Sequence, residues 1–241
     1  MNNNFLKISY LNIDEISIQE CLKLLHLCSK EKKSQTKQLI YDLNYKQTIC
    51  ANSLIYYLLY CKTGLLHYKP ILQYNKFGKP YLNSIVEFNF NISHSENWVV
   101  LAQSDSDVGI DIEKIQPDIY NIAKNYFSTT ERHYINSSFS KTEKNNRFIK
   151  IWTLKESFVK FLGTGLNTHL NTFSICDIEE PIHTVRFHKE PIKNNIYLKS
   201  FNFDNNFYIA TCSRATYIEM EKININDLLE FSKKSRILSF T

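Results

Sequence analysis

Asp111 and Glu113 stand one residue apart in the run V-G-I-D-I-E. Val108, Ile110 and Ile112 alternate with Gly109, Asp111 and Glu113, the period-two pattern of a half-buried strand. Both carboxylates therefore leave one face of that strand, and the aliphatics leave the other. Magnesium is commonly held by one or two carboxylates together with substrate phosphate oxygens, so the pair has the chemistry of a hard-cation site. An acid-x-acid pair is equally the signature of a solvated strand face. A second cluster lies in I-W-T-L-K-E-S-F-V-K. There Glu156 and Lys160 are four apart on a predicted helix and share a face, with Lys155 beside them. That run offers a third acid for the same ion and two compact point charges for phosphates. By spacing alone it is also an ordinary surface ion pair.

Other polar motifs are weaker. F-G-K-P at 77–80 is a turn that sets Lys79 beside the rigid Pro80, and by itself predicts only an exposed lysine. N-I-S-H ends a strand with Ser93 and His94. Adjacent strand residues face opposite ways, so a serine–histidine nucleophile pair is disfavoured, and His94 is read as a structural histidine or an anion donor. Ser128-Thr-Thr-Glu131 is a capping box, with catalysis by Glu131 as general base the less ordinary alternative. No glycine-rich phosphate loop is present, so any phosphate must be held by side chains and metal. Only five glycines occur, and Gly78, Gly109, Gly163 and Gly165 all fall beside these motifs.

The elements that must position these groups form two runs. In the first, a strand at 5–10 precedes an amphipathic helix at 18–28, a basic stretch, and a long helix at 43–61 that stops near Gly64. Short strands at 71–74, 86–92 and 98–103 follow. The second run starts with the strand of Asp111. Pro117 opens a helix through Phe127, further helices begin at S-T-T-E and run through Trp152 to G-T-G, and strands at 170–176, 183–188, 196–203 and 207–213 close it. The polar segment Ser104–Asp107 is the expected seam, giving an α/β (α+β) chain of halves 1–105 and 106–241.

At 241 residues, with 43% hydrophobic and 14% aromatic content, the chain can bury a real core. There is no apolar run of about eighteen residues and no secretory leader pattern, so neither membrane association nor export is expected, and a cytoplasmic location is. Six cysteines without C-x-x-C pairing argue against zinc and read mostly as core residues. A net charge of +5 permits an anionic small partner but lacks the basic stripe of a nucleic-acid binder.

Taken in order, F-G-K-P, F-N-I-S-H-S-x-x-W-V-V, V-G-I-D-I-E-K, F-S-T-T-E and W-T-L-K-E-S-F-V-K-F-L-G-T-G-L resemble the surfactin-synthetase type of 4′-phosphopantetheinyl transferase. The resemblance spans residues 77–166. It implies a pseudo-dimer of two similar halves, each with helices on a small, mostly antiparallel sheet, and an active site in the cleft between them. It implies transfer of the phosphopantetheine arm of coenzyme A to a serine of an apo carrier protein, releasing adenosine 3′,5′-bisphosphate. Asp111, Glu113 and Glu156 would then ligate Mg²⁺, with Glu131 as the base and Lys160 as a second catalytic group. Lys32, Lys46, Thr48, Lys79, Pro80, Ser93, His94, Lys155 and Lys160 would contact coenzyme A, and Ile119, Tyr120, Ile122 and Phe127 the carrier. The fused design implies a monomer.

Two positions depart from the family pattern. Gln47 stands where an arginine usually grips the 3′-phosphate, and an upstream lysine position is Gln35, leaving Lys32 and Lys37 nearby. Glu96 occupies a turn position that commonly holds glycine. These departures are the support for an alternative, a non-catalytic relative that binds coenzyme A or a carrier.

Overall fold

The computed structural model describes residues 5–29, 43–188 and 195–237. Lys32, Gln35 and Lys37 lie outside them. The first sheet contains β1 (Phe5–Asn12), β4 (Asn89–Ser95), β5 (Trp98–Ser104) and β11 (Tyr217–Lys222), in the order β11-β1-β5-β4. The second contains β6 (Gly109–Lys114), β9 (Tyr197–Phe203) and β10 (Phe207–Ser213), antiparallel throughout in the order β6-β10-β9. Two ribbons complete the strands: β2 (Leu72–Tyr74) with β3 (Pro80–Leu82), and β7 (Phe173–Cys176) with β8 (Thr184–Phe187). Among the described residues the α-helices are α1 (Ile18–Leu24), α2 (Leu43–Thr63), α3 (Ala123–Tyr126), α4 (Thr129–Asn136), α5 (Lys141–Leu162) and α6 (Ile225–Ile237). The chain is thus the expected mixed α/β protein, with helices on small, mostly antiparallel sheets.

Burial follows the strand alternation. Leu11, Val99 and Leu101 turn toward α1, α2 and α6, where they meet Ile49, Leu54, Leu228 and Phe231. Ile8, Val100 and Ala102 point the other way, against Ile110, Ile112 and Ile209 of the second sheet. A further core lies between α5 and the second sheet, around Leu154, Phe158, Phe173, Leu198 and Ala210. Of the six cysteines, Cys21, Cys28, Cys50 and Cys212 are buried, as small apolar residues in these cores are expected to be.

Several boundaries differ from the sequence reading. The helix expected from Pro117 to Phe127 is a 3-10 turn at Ile119–Ile122 followed by the single turn of α3, with Asp118 left-handed at φ +56° before it. The strand expected at 86–92 runs three residues later, over Asn89–Ser95. Nothing was expected after Ser213, yet β11 pairs in parallel with β1, from Phe5↔Tyr217 to Tyr10↔Lys222. Helix α6 then packs on α1 and α2. The second half of the chain thereby supplies an edge strand and a helix to the first sheet. No helix among the described residues is long and apolar enough to cross a membrane.

The two sheets also meet edge to edge, where β4 lies beside β6 without pairing to it. Alternate residues of β4 reach across. Asn91 Oδ1 accepts the Ile110 amide at 2.9 Å, Ser93 Oγ donates to Asp111 Oδ1 at 2.9 Å, and Ser95 Oγ accepts the Lys114 amide at 3.2 Å. On its other side β6 is pressed against α5. A β-carbon at Gly109 would lie 2.0 Å from the Ser157 carbonyl oxygen and 2.4 Å from the Phe161 nitrogen, so only glycine fits. Helix α5 ends at Gly163, whose left-handed φ of +65° lets its amide bond back to Val159 O.

Candidate functional site

The close approach at Gly109 brings one stripe of α5 over one face of β6. Trp152, Glu156 and Lys160 are spaced by four and share that stripe. Asp111 and Glu113 share the facing strand surface. Together with Ser93 and His94 of β4, Thr48, Asn52 and Ile55 of α2, and Pro80 of β3, they line a cleft of about 380 Å³. Both halves of the chain contribute to its walls.

Charge is concentrated at its floor. The Lys160 ammonium donates to Asp111 Oδ1 at 2.6 Å and to Ser93 Oγ at 2.8 Å. Asp111 is only 3% exposed, and its Oδ2 is buried without any hydrogen-bond partner. Burial and the neighbouring Asp111 push the Glu113 carboxyl up to about 7, against the opposing pull of Lys160 and of a hydrogen bond with Trp152. Burial and Asp111 raise the Glu156 carboxyl as well. His94 is held below its ordinary value by burial and by the Lys160 charge, which favours the neutral ring.

One ammonium therefore faces three carboxylates, one of which has an orphaned buried oxygen. A buried acceptor without a partner is costly. Among the described residues no three carboxylate, imidazole or thiol groups converge tightly enough to hold an ion as they stand. The unpartnered Oδ2, the mutual repulsion of the acids and the all-oxygen donor set nevertheless fit a hard divalent cation.

Four residues expected at the cleft lie elsewhere. Glu131 and Lys155 are both fully buried and pair with each other at 2.9 Å, beneath the site. Glu131 Oε1 also accepts the Ile175 amide at 2.8 Å, and its Oε2 accepts the Ser128 amide at 2.7 Å, completing the capping box of α4. Lys155 Nζ donates to the Leu170 and Phe173 carbonyls at 2.8 and 2.6 Å. Burial lowers its pKa and the Glu131 carboxylate pulls it back up. The reason is helical geometry: neighbours are turned about 100° apart, so when Glu156 faces β6, Lys155 faces β7. Lys79 bends away to donate to Val108 O and Phe161 O at 3.0 and 3.2 Å, beside a neighbouring cavity of about 370 Å³. Lys46 donates to Ile13 O and Ile16 O at 3.3 and 2.8 Å.

The departures from the family pattern have a local explanation. Gln47 is buried and donates to Glu96 O at 2.7 Å, so it ties α2 to the β4–β5 hairpin. Glu96 is left-handed there, at φ +49°, and its carboxylate pairs with Lys114 at 3.3 Å. Of the four residues named for a partner surface, Phe127 is buried against Phe148 and Trp152, and Ile119 and Tyr120 pack on the same core, whereas Ile122 is exposed. Sequence reasoning left Trp152 and Asn52 out of the site. Their signal was the i,i+4 spacing, from Trp152 to Glu156 and from Thr48 to Asn52.

Two family models match consecutive segments of the chain. The model described as 4′-phosphopantetheinyl transferase, N-terminal, matches residues 15–106, and the 4′-phosphopantetheinyl transferase superfamily model matches residues 107–212. Among curated relatives, the chain is 28% identical over 191 residues to a 4′-phosphopantetheinyl transferase of Bacillus subtilis, covering 79% of this chain and 84% of the relative. It is 29% identical over 203 residues to the 4′-phosphopantetheinyl transferase psf-1 of Bacillus pumilus, covering 83% and 85%. Similarity extends to the human L-aminoadipate-semialdehyde dehydrogenase-phosphopantetheinyl transferase, at 31% over 164 residues, with 63% of this chain and 53% of that protein covered.

Proposed function

The chain belongs to the 4′-phosphopantetheinyl transferase superfamily, and on that premise we propose that it moves the phosphopantetheine arm of coenzyme A to a serine of an apo carrier protein. The carriers in view are those of peptide, polyketide or fatty-acid synthesis. The observation that carries the reading is the cleft itself, with Asp111, Glu113, Glu156 and Lys160 on its floor and an orphaned oxygen on Asp111.

In this reading Asp111, Glu113 and Glu156 hold Mg²⁺. When bound, the ion would supply Lewis-acid polarisation of the attacked phosphorus and neutralise charge on the departing 5′-phosphate of adenosine 3′,5′-bisphosphate. Lys160 spends two of its three donors on Asp111 and Ser93 and keeps one for a phosphate oxygen. Ser93 fixes the Asp111 carboxylate. Neutral His94 offers a ring N–H, not a charge, to the nucleotide end. Ile55, Leu72 and Ile92 line the apolar side of the cleft and exclude water from the reacting groups. Glu131 has both oxygens engaged in the core, so we assign it, with Lys155, the task of fixing the rotation of α5 and hence the aim of Glu156 and Lys160. A single chain supplies both walls, and we take the active unit to be a monomer.

The test is to incubate the protein with coenzyme A, Mg²⁺ and several apo carriers and to weigh the carriers. Gain of one phosphopantetheine is expected, and a gain with none of them sinks the reading. Asp111→Ala should reduce transfer to background, and an unchanged rate would remove Asp111 from the ion site.

A further inference from the structure

The turn at 75–79, between β2 and β3, belongs to the first half of the chain but is fastened to the second. Asn75 braces it from within: its Oδ1 accepts the Phe77 and Lys79 amides, both at 2.9 Å. Gly78, left-handed at φ +89°, closes the loop by donating its amide to Asn75 O at 3.0 Å. Two side chains then leave the turn. Asn75 Nδ2 donates to Gly163 O at 2.8 Å, and Lys79 Nζ donates to Phe161 O at 3.2 Å and to Val108 O at 3.0 Å. The fit is close, since a β-carbon at Gly163 would stand 3.0 Å from Lys79 Cδ and 3.1 Å from Asn75 Nδ2.

The acceptors explain the arrangement. The last carbonyls of a helix have no partner within it, and a cation is favoured at that end. Phe161 O and Gly163 O lie at the end of α5, and Val108 O immediately precedes β6. One ammonium thus spans the end of the helix and the head of the strand. These are the two elements that bring Lys160 to Asp111 at 2.6 Å: Lys160 is the residue before Phe161, and Asp111 is three beyond Val108. Asn75 and Lys79 line the neighbouring cavity and not the cleft.

We propose that Lys79, braced by Asn75, is a positioning residue that pins the last turn of α5 to the head of β6 and so sets the aim of Lys160 at Asp111. Gly109 lets the helix and strand approach, and Lys79 holds them there. The clamp stands on its own contacts, whereas its part in catalysis rests on the transfer reaction proposed above.

The test compares Lys79→Met and Asn75→Asp with the unaltered full chain. Asn75→Asp keeps the acceptor that braces the turn and loses only the donor to Gly163 O. In protein without coenzyme A, amide hydrogen exchange over residues 160–163 should quicken about tenfold or more in each variant, while residues 145–156 of the same helix exchange as before. With coenzyme A, Mg²⁺ and an apo carrier, kcat should fall about ten- to hundredfold in Lys79→Met and in the same direction in Asn75→Asp, with the carrier KM unchanged. Unchanged exchange at 160–163 overturns the inference, as does an equal quickening along all of α5, the mark of general destabilisation. Lys79→Met with kcat intact and only the KM for coenzyme A raised also overturns it, because that is the behaviour of a lysine serving a substrate phosphate. If the unaltered protein transfers nothing, the expected exchange pattern still confirms the clamp, and only the transfer reaction and the catalytic role fall.

Discussion

Gly109→Ala probes the contact on which the site depends. The added methyl carbon would stand 2.0 Å from the Ser157 carbonyl oxygen, 2.4 Å from the Phe161 nitrogen and 3.0 Å from the Phe161 Cα. All three are main-chain atoms of a 22-residue helix, so no side chain can swing aside to relieve the clash. Ordinary contact begins near 3.4 Å, and β6 and α5 must part by roughly 1.4 Å to reach it. Overpacking of this kind costs about 1–3 kcal/mol, and a rigid backbone on both sides puts this case at the upper end. For a chain of this size that corresponds to a fall of about 6–12 °C in melting temperature. The same displacement would stretch the 2.6 Å contact of Lys160 with Asp111 beyond hydrogen-bonding range. Calorimetry and the carrier mass assay should therefore both register the change, with transfer lost even at temperatures where the variant is folded. A melting temperature within about 2 °C of the parent, together with a normal rate, would refute the argument that this glycine sets the helix on the strand.

Three further outcomes are expected. Lys155→Met leaves the Glu131 carboxylate buried and unpaired and should destabilise the fold by about 3–5 kcal/mol in urea unfolding, while adding Glu131→Gln should return part of it; a stable but inactive Lys155→Met would instead place the pair in the chemistry. Glu96→Gly relieves a left-handed glutamate and gives up only an exposed ion pair with Lys114, so the melting temperature should not fall. His183 is buried between Asp177 O, to which Nδ1–H donates at 2.8 Å, and Ser200 Oγ at 3.1 Å, and burial lowers its pKa below 6.5. The unfolded chain then binds the proton more readily, so this contribution is fully present above pH 6.5 and is lost as pH falls through that value toward the folded pKa. Stability measured by urea unfolding at stepped pH should show that loss, and His183→Gln should flatten it.

Much of this was legible from the residues, and what was not has two causes. The alternation Gly109–Ile110–Asp111–Ile112–Glu113 placed the acids on one face and the isoleucines in the core, as they are found. Spacing by four likewise put Glu156 and Lys160 on a single stripe. What could not be read was which long polar side chain turns inward. Lys46, Lys79 and Lys155 all look like surface or substrate lysines in sequence, yet each ends on main-chain carbonyls of segments remote in the chain. The need for a lysine there arises only once distant segments meet. Tyr217–Lys222 escaped notice for the opposite reason. It is an exposed edge strand, rich in charge, and its brief I-E-M-E alternation buries little apolar surface to announce it.

The seam between β4 and β6 has a consequence for how the chain can be divided. Each of these strands is the last in its own sheet. An unpaired strand edge is an open template for association with other chains. Here Asn91, Ser93 and Ser95 fill the gap between the two edges, and each half thereby blunts the sticky margin of the other. Cutting the chain at residue 105 would expose both margins at once and would also strip β11 and α6 from the first sheet. Either fragment, produced alone, should aggregate. The acids that give the cleft its chemistry thus sit on the same strand that makes the two halves depend on each other to stay in solution.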